Sequence, residues 1–262
     1  KALHEFRAHL AESKSLTLEG VELLKAQRWD EATAALQKAA DLSPTLATPY
    51  PYIGMAWEKK GDRPKALVAF QKALTLQPDY AQAHASLGLF YWQQHDQRQG
   101  LEEFRKAVMC DPDLAEGHYN LGLAQSELGH LEEAARELAE AASLKPDYLD
   151  ARLQLGLVLS RKNDLTAAAA VYRDVIQQKP DFAEAHNNLG LVLLQAGDAA
   201  GARTAFAEAL RLKPAYAEAH YNLALALQQA GRSAEAGSEF EKAYQLSPQL
   251  RNLSGGQAPN KP

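Results

Sequence analysis

The 262 residues predict an all-α solenoid, a stack of antiparallel helix pairs whose core grows along one axis. Three observations carry this. Pro44, Pro78, Pro112, Pro146, Pro180, Pro214 and Pro248 follow one another at intervals of 34, so residues 13–250 divide into seven blocks with 12 residues left at each end. Small residues recur at two fixed places in the block. Large apolar residues recur around them at helical spacing, with no strand-like alternation.

With each proline numbered 32, the blocks are 13–46, 47–80, 81–114, 115–148, 149–182, 183–216 and 217–250. The first helix carries Gly20, Gly54, Gly88, Gly122, Gly156, Gly190 and Ala224 at position 8, preceded at position 7 by Ile53, Leu87, Leu121, Leu155, Leu189 and Leu223. Glycine inside a helix costs about 0.5–1 kcal/mol against alanine, so its recurrence asks for a close helix crossing. A turn follows near position 15, where Gly61, Gly129, Gly197, Gly231 and Asn163 suit left-handed backbone. The second helix carries Ala or Gly at position 20 and Leu36, Phe70, Phe104, Leu138, Tyr172, Phe206 and Phe240 at position 24. Position 27 is alanine except at Val175, a flat seat for the next block, and the proline at 32 stops the helix.

Composition narrows the function. The chain is 46% apolar and 23% charged with a net charge of −5 and no Lys/Arg block, which argues against a nucleic-acid or anionic-membrane surface. No apolar run reaches the roughly 18 residues of a spanning helix. The lone Cys110 can form no internal disulfide and sits where four sister blocks have leucine, so it is read as a small core residue. No nucleophile–base arrangement, phosphate-cradling loop or metal motif stands out, so neither an enzyme nor a cofactor is expected. The chain starts at Lys1 without Met, so a removed leader or an upstream domain is expected to be compatible with it, and both cytoplasmic and periplasmic settings fit.

Small residues at 8 and 20, an aromatic at 24, proline at 32 and the 34-residue period resemble the tetratricopeptide repeat (TPR) family over residues 13–250. The resemblance implies a right-handed TPR superhelix that acts as a scaffold or adaptor, holding a peptide or protein segment in a concave groove lined by first helices. The family's ligand positions are 2, 5, 6, 9, 12 and 13. Position 9 is apolar throughout: Val21, Met55, Leu89, Leu123, Leu157, Leu191 and Leu225. Tyr119, Leu153 and Tyr221 at position 5 and Leu24, Trp92 and Leu194 at position 12 add to it. Either these residues form an apolar lane in the groove, or a slight rotation tucks position 9 into the seam between helices.

Position 6 holds Asn120, Gln154, Asn188 and Asn222 in blocks four to seven, while Leu18, Tyr52 and Ser86 break the row. A carboxamide both donates and accepts, so such a row can grip an extended backbone without reading its sequence. These blocks resemble in style the TPR regions of O-GlcNAc transferases, which use an asparagine ladder, and bacterial TPR scaffolds. Asparagine is also simply common at this position in the family. The family's carboxylate clamp, with Lys at 5 and Asn at 9, is absent. Glu116, Asp150, Glu184 and Glu218 at position 2 would repel a terminal carboxylate, and they suit the positive end of the helix dipole.

His84, His118, His186 and His220 share position 4, but helix packing separates such positions by roughly 8–10 Å, too far for one zinc ion. They are expected to be half-buried packing residues. Leu3, Phe6 and Leu10 suggest that residues 1–12 form a capping turn or the tail of an upstream helix. Residues 251–262 read as a flexible tail, leaving Phe240, Tyr244 and Leu246 of the last helix without cover. That predicts either a longer natural protein or a homo-oligomer through this helix. Two alternatives to an adaptor remain: the substrate-presenting region of a larger enzyme such as a glycosyltransferase, and a self-assembling structural protein.

Overall fold

A computed structural model of the protein describes residues 2–252. All regular structure among them is helical. Two compact units appear, Lys1–Leu128 and Gly129–Pro262. The first contains α1 (Ala2–Lys25), α2 (Trp29–Leu42), α3 (Pro49–Lys59), α4 (Arg63–Leu76), α5 (Ala81–Gln93), α6 (Gln97–Cys110) and α7 (Ala115–Glu127). The second contains α8 (Leu131–Leu144), α9 (Leu149–Arg161), α10 (Leu165–Gln178), α11 (Ala183–Gln195), α12 (Ala199–Leu212), α13 (Ala217–Gln229), α14 (Ser233–Leu246) and a 3₁₀ helix, Pro248–Asn252. Each unit is an α-solenoid in which a helix packs on its predecessor and its successor.

Gly20, Gly54, Gly88, Gly156 and Gly190 face the position-24 side chains of their own pairs. A Cβ added at Gly88 would lie 2.6 Å from the Phe104 ring, and one added at Gly190 only 2.5 Å from Phe206. Glycine is there because an aromatic ring lies flat on the backbone. Positions 20 and 27 are equally constrained: Ala66, Ala168 and Ala202, and Ala73, Ala107 and Ala209, are fully enclosed. Val175 occupies the same buried seat in its block.

Position 15 takes left-handed backbone in every block, at Gly61, Gly129, Gly197, Gly231 and Asn163 but also at Gln27 and His95. Asp62, Asp96, Asp164 and Asp198 follow it and accept a hydrogen bond from the backbone N–H three residues on, capping the second helix. Arg28, His130 and Arg232 stand in that place elsewhere, and the two arginines pair with Glu31 and Glu235.

Both ends differ from a plain repeat. Residues 2–12 continue into the first helix of block one without a break, giving α1 its 24 residues, with Phe6 exposed and Leu10 half-buried. At the other end, the expectation of an uncovered last helix is corrected. The 3₁₀ helix folds back so that Leu250 packs with Ala217, Ala243 and Tyr244, and Phe240 joins the same cluster. The Arg251 guanidinium lies 5.1 Å from the centre of the Tyr244 ring. Leu246 stays exposed. The expected tail, from residue 253 onward, lies outside the described residues.

Candidate functional site

Within each unit the first helices touch one another, α1 with α3, α3 with α5 and α5 with α7, then α9 with α11 and α11 with α13. No comparable packing links successive second helices among the described residues. The first helices are therefore the crowded inner layer of each unit. Side chains that bridge them mark its face: Trp92 Nε1 donates to Glu127 Oε2 at 2.9 Å, and the Ser160 hydroxyl donates to Gln195 Oε1 at 3.1 Å. Both bonds run from position 12 to position 13 of the next block.

Position 9 lies on this face between positions 5, 6, 12 and 13. Its residues differ in exposure, and Met55 packs against the core beside it. Leu89 and Leu191 are 39% exposed and Leu157 46%, while Val21, Met55, Leu123 and Leu225 are half-buried. The seam is filled mainly by positions 7 and 10, where Leu87, Leu121 and Leu189, and Phe90, Val158 and Val192, are buried. Trp92, Tyr119, Leu153, Leu194 and Tyr221 flank the leucines, each half-buried. In each unit, then, apolar side chains stand on the inner face with part of their surface open.

The amides divide. Asn120, Gln154 and Asn188 are half-exposed, whereas Asn222 is 9% exposed. Asn222 Nδ2 donates to Asn187 Oδ1 at 3.0 Å, and Asn187 Nδ2 donates to Asn188 Oδ1 at 3.4 Å. This relay ties α13 to α11. Asn187, at position 5, was missed by sequence reasoning because its sister residues are Tyr119, Leu153 and Tyr221. The available signal was Asn187-Asn188 followed 35 residues later by Asn222. In the first unit, Ser86 at position 6 is buried and its hydroxyl turns back to the Gln82 carbonyl.

The position-4 histidines hold the loops between blocks. His84, His118, His186 and His220 each place Nε2 2.9–3.1 Å from the carbonyl of the proline six residues earlier. His84 and His220 also place Nδ1 against a glutamate at position 23, Glu103 at 2.6 Å and Glu239 at 2.5 Å. Burial disfavours the His84 imidazolium, but the bonds to Glu103 and the Pro78 carbonyl outweigh it, so His84 titrates above its ordinary value. Burial pushes the Glu103 carboxyl up, yet the bonds from His84 and Lys106 leave it below the usual range. Glu239 behaves likewise, held down against burial by Lys242 and His220. Among the described residues, no three His, Cys, Asp or Glu side chains are grouped to hold a metal.

Family models for the tetratricopeptide repeat match residues 119–181, 154–216 and 187–250, and a TPR repeat model matches residues 59–94. The chain belongs to the tetratricopeptide repeat family. A comparison with curated proteins returns no match. Among solved structures, this TPR chain is similar to YrrB, described as a TPR protein with an unusual peptide-binding site. The TM-score is 0.61 at 24% identity, covering 71% of this chain and 95% of that one. It is similar to Pseudomonas aeruginosa PilF with a TM-score of 0.67 at 17% identity, covering 79% and 94%. Against the APC/C hetero-tetramer Cut9–Hcn1 the TM-score is 0.64 at 19% identity, covering 98% of this chain and 48% of that one. At such identities these likenesses concern the fold. That fold is a protein-interaction scaffold, of a kind that is typically non-catalytic. No helix among the described residues is long and apolar enough to cross a membrane.

Proposed function

We propose that the chain is an adaptor that holds an extended peptide or protein segment on the first-helix face, with its main contacts in residues 129–252. The observation that carries this reading is the split between neighbouring positions. Leucines at position 7 are enclosed or partly enclosed, whereas Leu157 and Leu191 at position 9 stand open in a row. Apolar side chains that stand together on an exposed face mark an interaction site. Leu157, Leu191, Leu225 and Tyr221 would take ligand side chains, and Gln154 and Asn188 would bond its backbone. Asn222 supports Asn188 through Asn187 rather than facing the ligand. Leu89, Trp92, Tyr119, Asn120 and Leu123 would serve in the same way on the first unit. The peptide-binding description of YrrB is consistent with this use of a TPR face.

The test is calorimetry with a natural ligand obtained by affinity capture from the source cells. Leu157→Ser and Leu191→Ser together should weaken binding at least tenfold, at about 1 kcal/mol or more per lost apolar contact. Asn188→Ala should weaken it about fivefold, as one buried hydrogen bond of about 1 kcal/mol predicts. Unchanged affinity in the double leucine variant overturns the reading.

A further inference from the structure

The opposite side of the first unit carries a cleft that the first-helix face does not explain. It lies between α2 and α4, with a volume of 360 Å³, and α3 forms its floor through Ile53 and Trp57. Val68 stands at its lip, 66% exposed, and Lys65 and Lys72 lie along its rim. The Trp57 ring is flanked by two ammonium groups, Lys65 Nζ at 4.2 Å and Lys60 Nζ at 4.4 Å from its centre. Lys60 and Lys65 are paired to Asp30 and Asp62, but Lys72 forms no ion pair among the described residues.

The same register recurs elsewhere with different chemistry. In block three, the space between positions 4 and 23 is taken by the buried pair of His84 and Glu103. In block five, Arg152 and Asp174 form an ion pair where block two has Tyr50 and Lys72. In block six the cleft reaches 800 Å³, but Glu208 lies on its wall, bonded to Arg211. Block two has Ala69 at position 23 and Tyr50 at position 4, so its floor stays apolar. Charge singles it out as well. Residues 47–80 carry five Lys/Arg against three Asp/Glu, whereas residues 115–148 carry two against seven.

We infer that this cleft is a second docking site, which takes an acidic peptide segment of a partner protein through one large apolar or aromatic side chain. The volume lies at the small end of ordinary ligand cavities, roughly 300–1,000 Å³, and suits a single anchor. Acidic residues on either side of the anchor meet Lys72 and compete with Asp62 for the exposed Lys65. Such complementarity sets partner choice and encounter rate more than total affinity. Burial of an aromatic anchor against Ile53 and Trp57 supplies the rest.

The test uses the full chain and three fluorescent nonapeptide pools, read by anisotropy. One has a central Phe flanked by Asp and Glu, one the same Phe flanked by Lys, and one a central Ser flanked by Asp and Glu. The acidic Phe pool should bind at least tenfold more tightly than either control, and more weakly as salt rises. Val68→Glu and Lys72→Glu are surface changes, checked for folding by circular dichroism, and each should reduce that binding at least tenfold. Leu157→Ser with Leu191→Ser should leave it unchanged. Equal binding of the pools overturns the proposal, as does indifference to both cleft variants. Loss in the leucine variants alone would assign the peptide to the first-helix face. A dimer in sedimentation that Val68→Glu dissolves would put a second copy of the chain in the cleft, and would overturn the proposal too.

Discussion

The two units share a skeleton and differ in what they hang on it. Gly88 under Phe104 in the first unit and Gly190 under Phe206 in the second meet the same constraint at nearly the same distance. Their inner faces are held together differently. The first unit joins α5 to α7 through the Trp92 indole and Glu127, and turns Ser86 back on its own helix. The second joins α11 to α13 by asparagines and α9 to α11 by Ser160 and Gln195. Since each repeat contacts little beyond its neighbours, such substitutions act locally. The lesson is that specificity in this molecule lies in the residues that vary between equivalent positions, because the invariant ones are fully occupied by packing.

Paired substitutions, one in each unit, sharpen or break that comparison. Phe70→Ala and Phe206→Ala should each cost about 3–5 kcal/mol, and similar losses in chemical denaturation confirm a common skeleton. A difference above about 2 kcal/mol would show that one unit rests on other contacts. Gly54→Ala and Gly190→Ala come next, at about 1–3 kcal/mol each, because the added methyl must displace a ring.

The histidines should separate blocks with a glutamate partner from blocks without one, since His220 and Glu239 in the second unit repeat the pairing of His84 and Glu103 in the first. His84→Ala leaves Glu103 buried with one partner fewer and should cost about 1–3 kcal/mol. His186→Ala, with Ala205 in place of a glutamate at position 23, should cost about 1 kcal/mol or less. Because the folded-state value of His84 is raised, its contribution is complete below its ordinary value of 6.5 and fades as pH rises through the higher folded value. Glu103 has the opposite sign: its contribution is present above 4.5 and fades as pH falls toward its lowered value. Melting curves of wild type and His84→Ala should therefore differ most between these limits and draw closer in alkali, where the neutral imidazole keeps one N–H for its two acceptors. A constant gap from pH 5.5 to 9 would disprove the linkage.

Smaller still, Asn222→Ala should cost about 1 kcal/mol and Ser86→Ala close to nothing, since only the first breaks a bond between helices. Least of all, Leu89→Ala and Leu191→Ala should each change stability by about 0.5 kcal/mol or less, as exposed side chains do. A large loss at either would mean that position 9 is structural after all.

Much of the fold was legible because the 34-residue period repeats the same steric demands until they cannot be missed. Glycine at 8, alanine at 20 and 27 and proline at 32 each have one physical reading, and the helix pairs follow from them. The inner face was less legible. Leu189 and Leu191 are the same residue type two positions apart, and only the rotation of α11 decides that one is enclosed and the other open. The asparagine relay needed a contact between blocks that periodicity alone cannot supply. The position-4 histidines looked like isolated packing residues because their partner is a proline carbonyl, which leaves no mark on the sequence. The outer cleft depends on Tyr50 and Ala69 lying together, 19 residues apart, and stood out only against the paired His84 and Glu103.

The histidine–proline bonds also say where the chain tolerates lengthening. The four connections that lead to His84, His118, His186 and His220 are each clamped by a six-residue span from proline carbonyl to imidazole, so one inserted residue there would pull the next first helix out of register. The turns inside blocks have no such clamp. A Cβ at Gly61 or Gly197 would meet nothing within 4 Å. A protease site, an epitope or a fluorophore loop therefore belongs in those turns, where it would ride on the scaffold without loosening it.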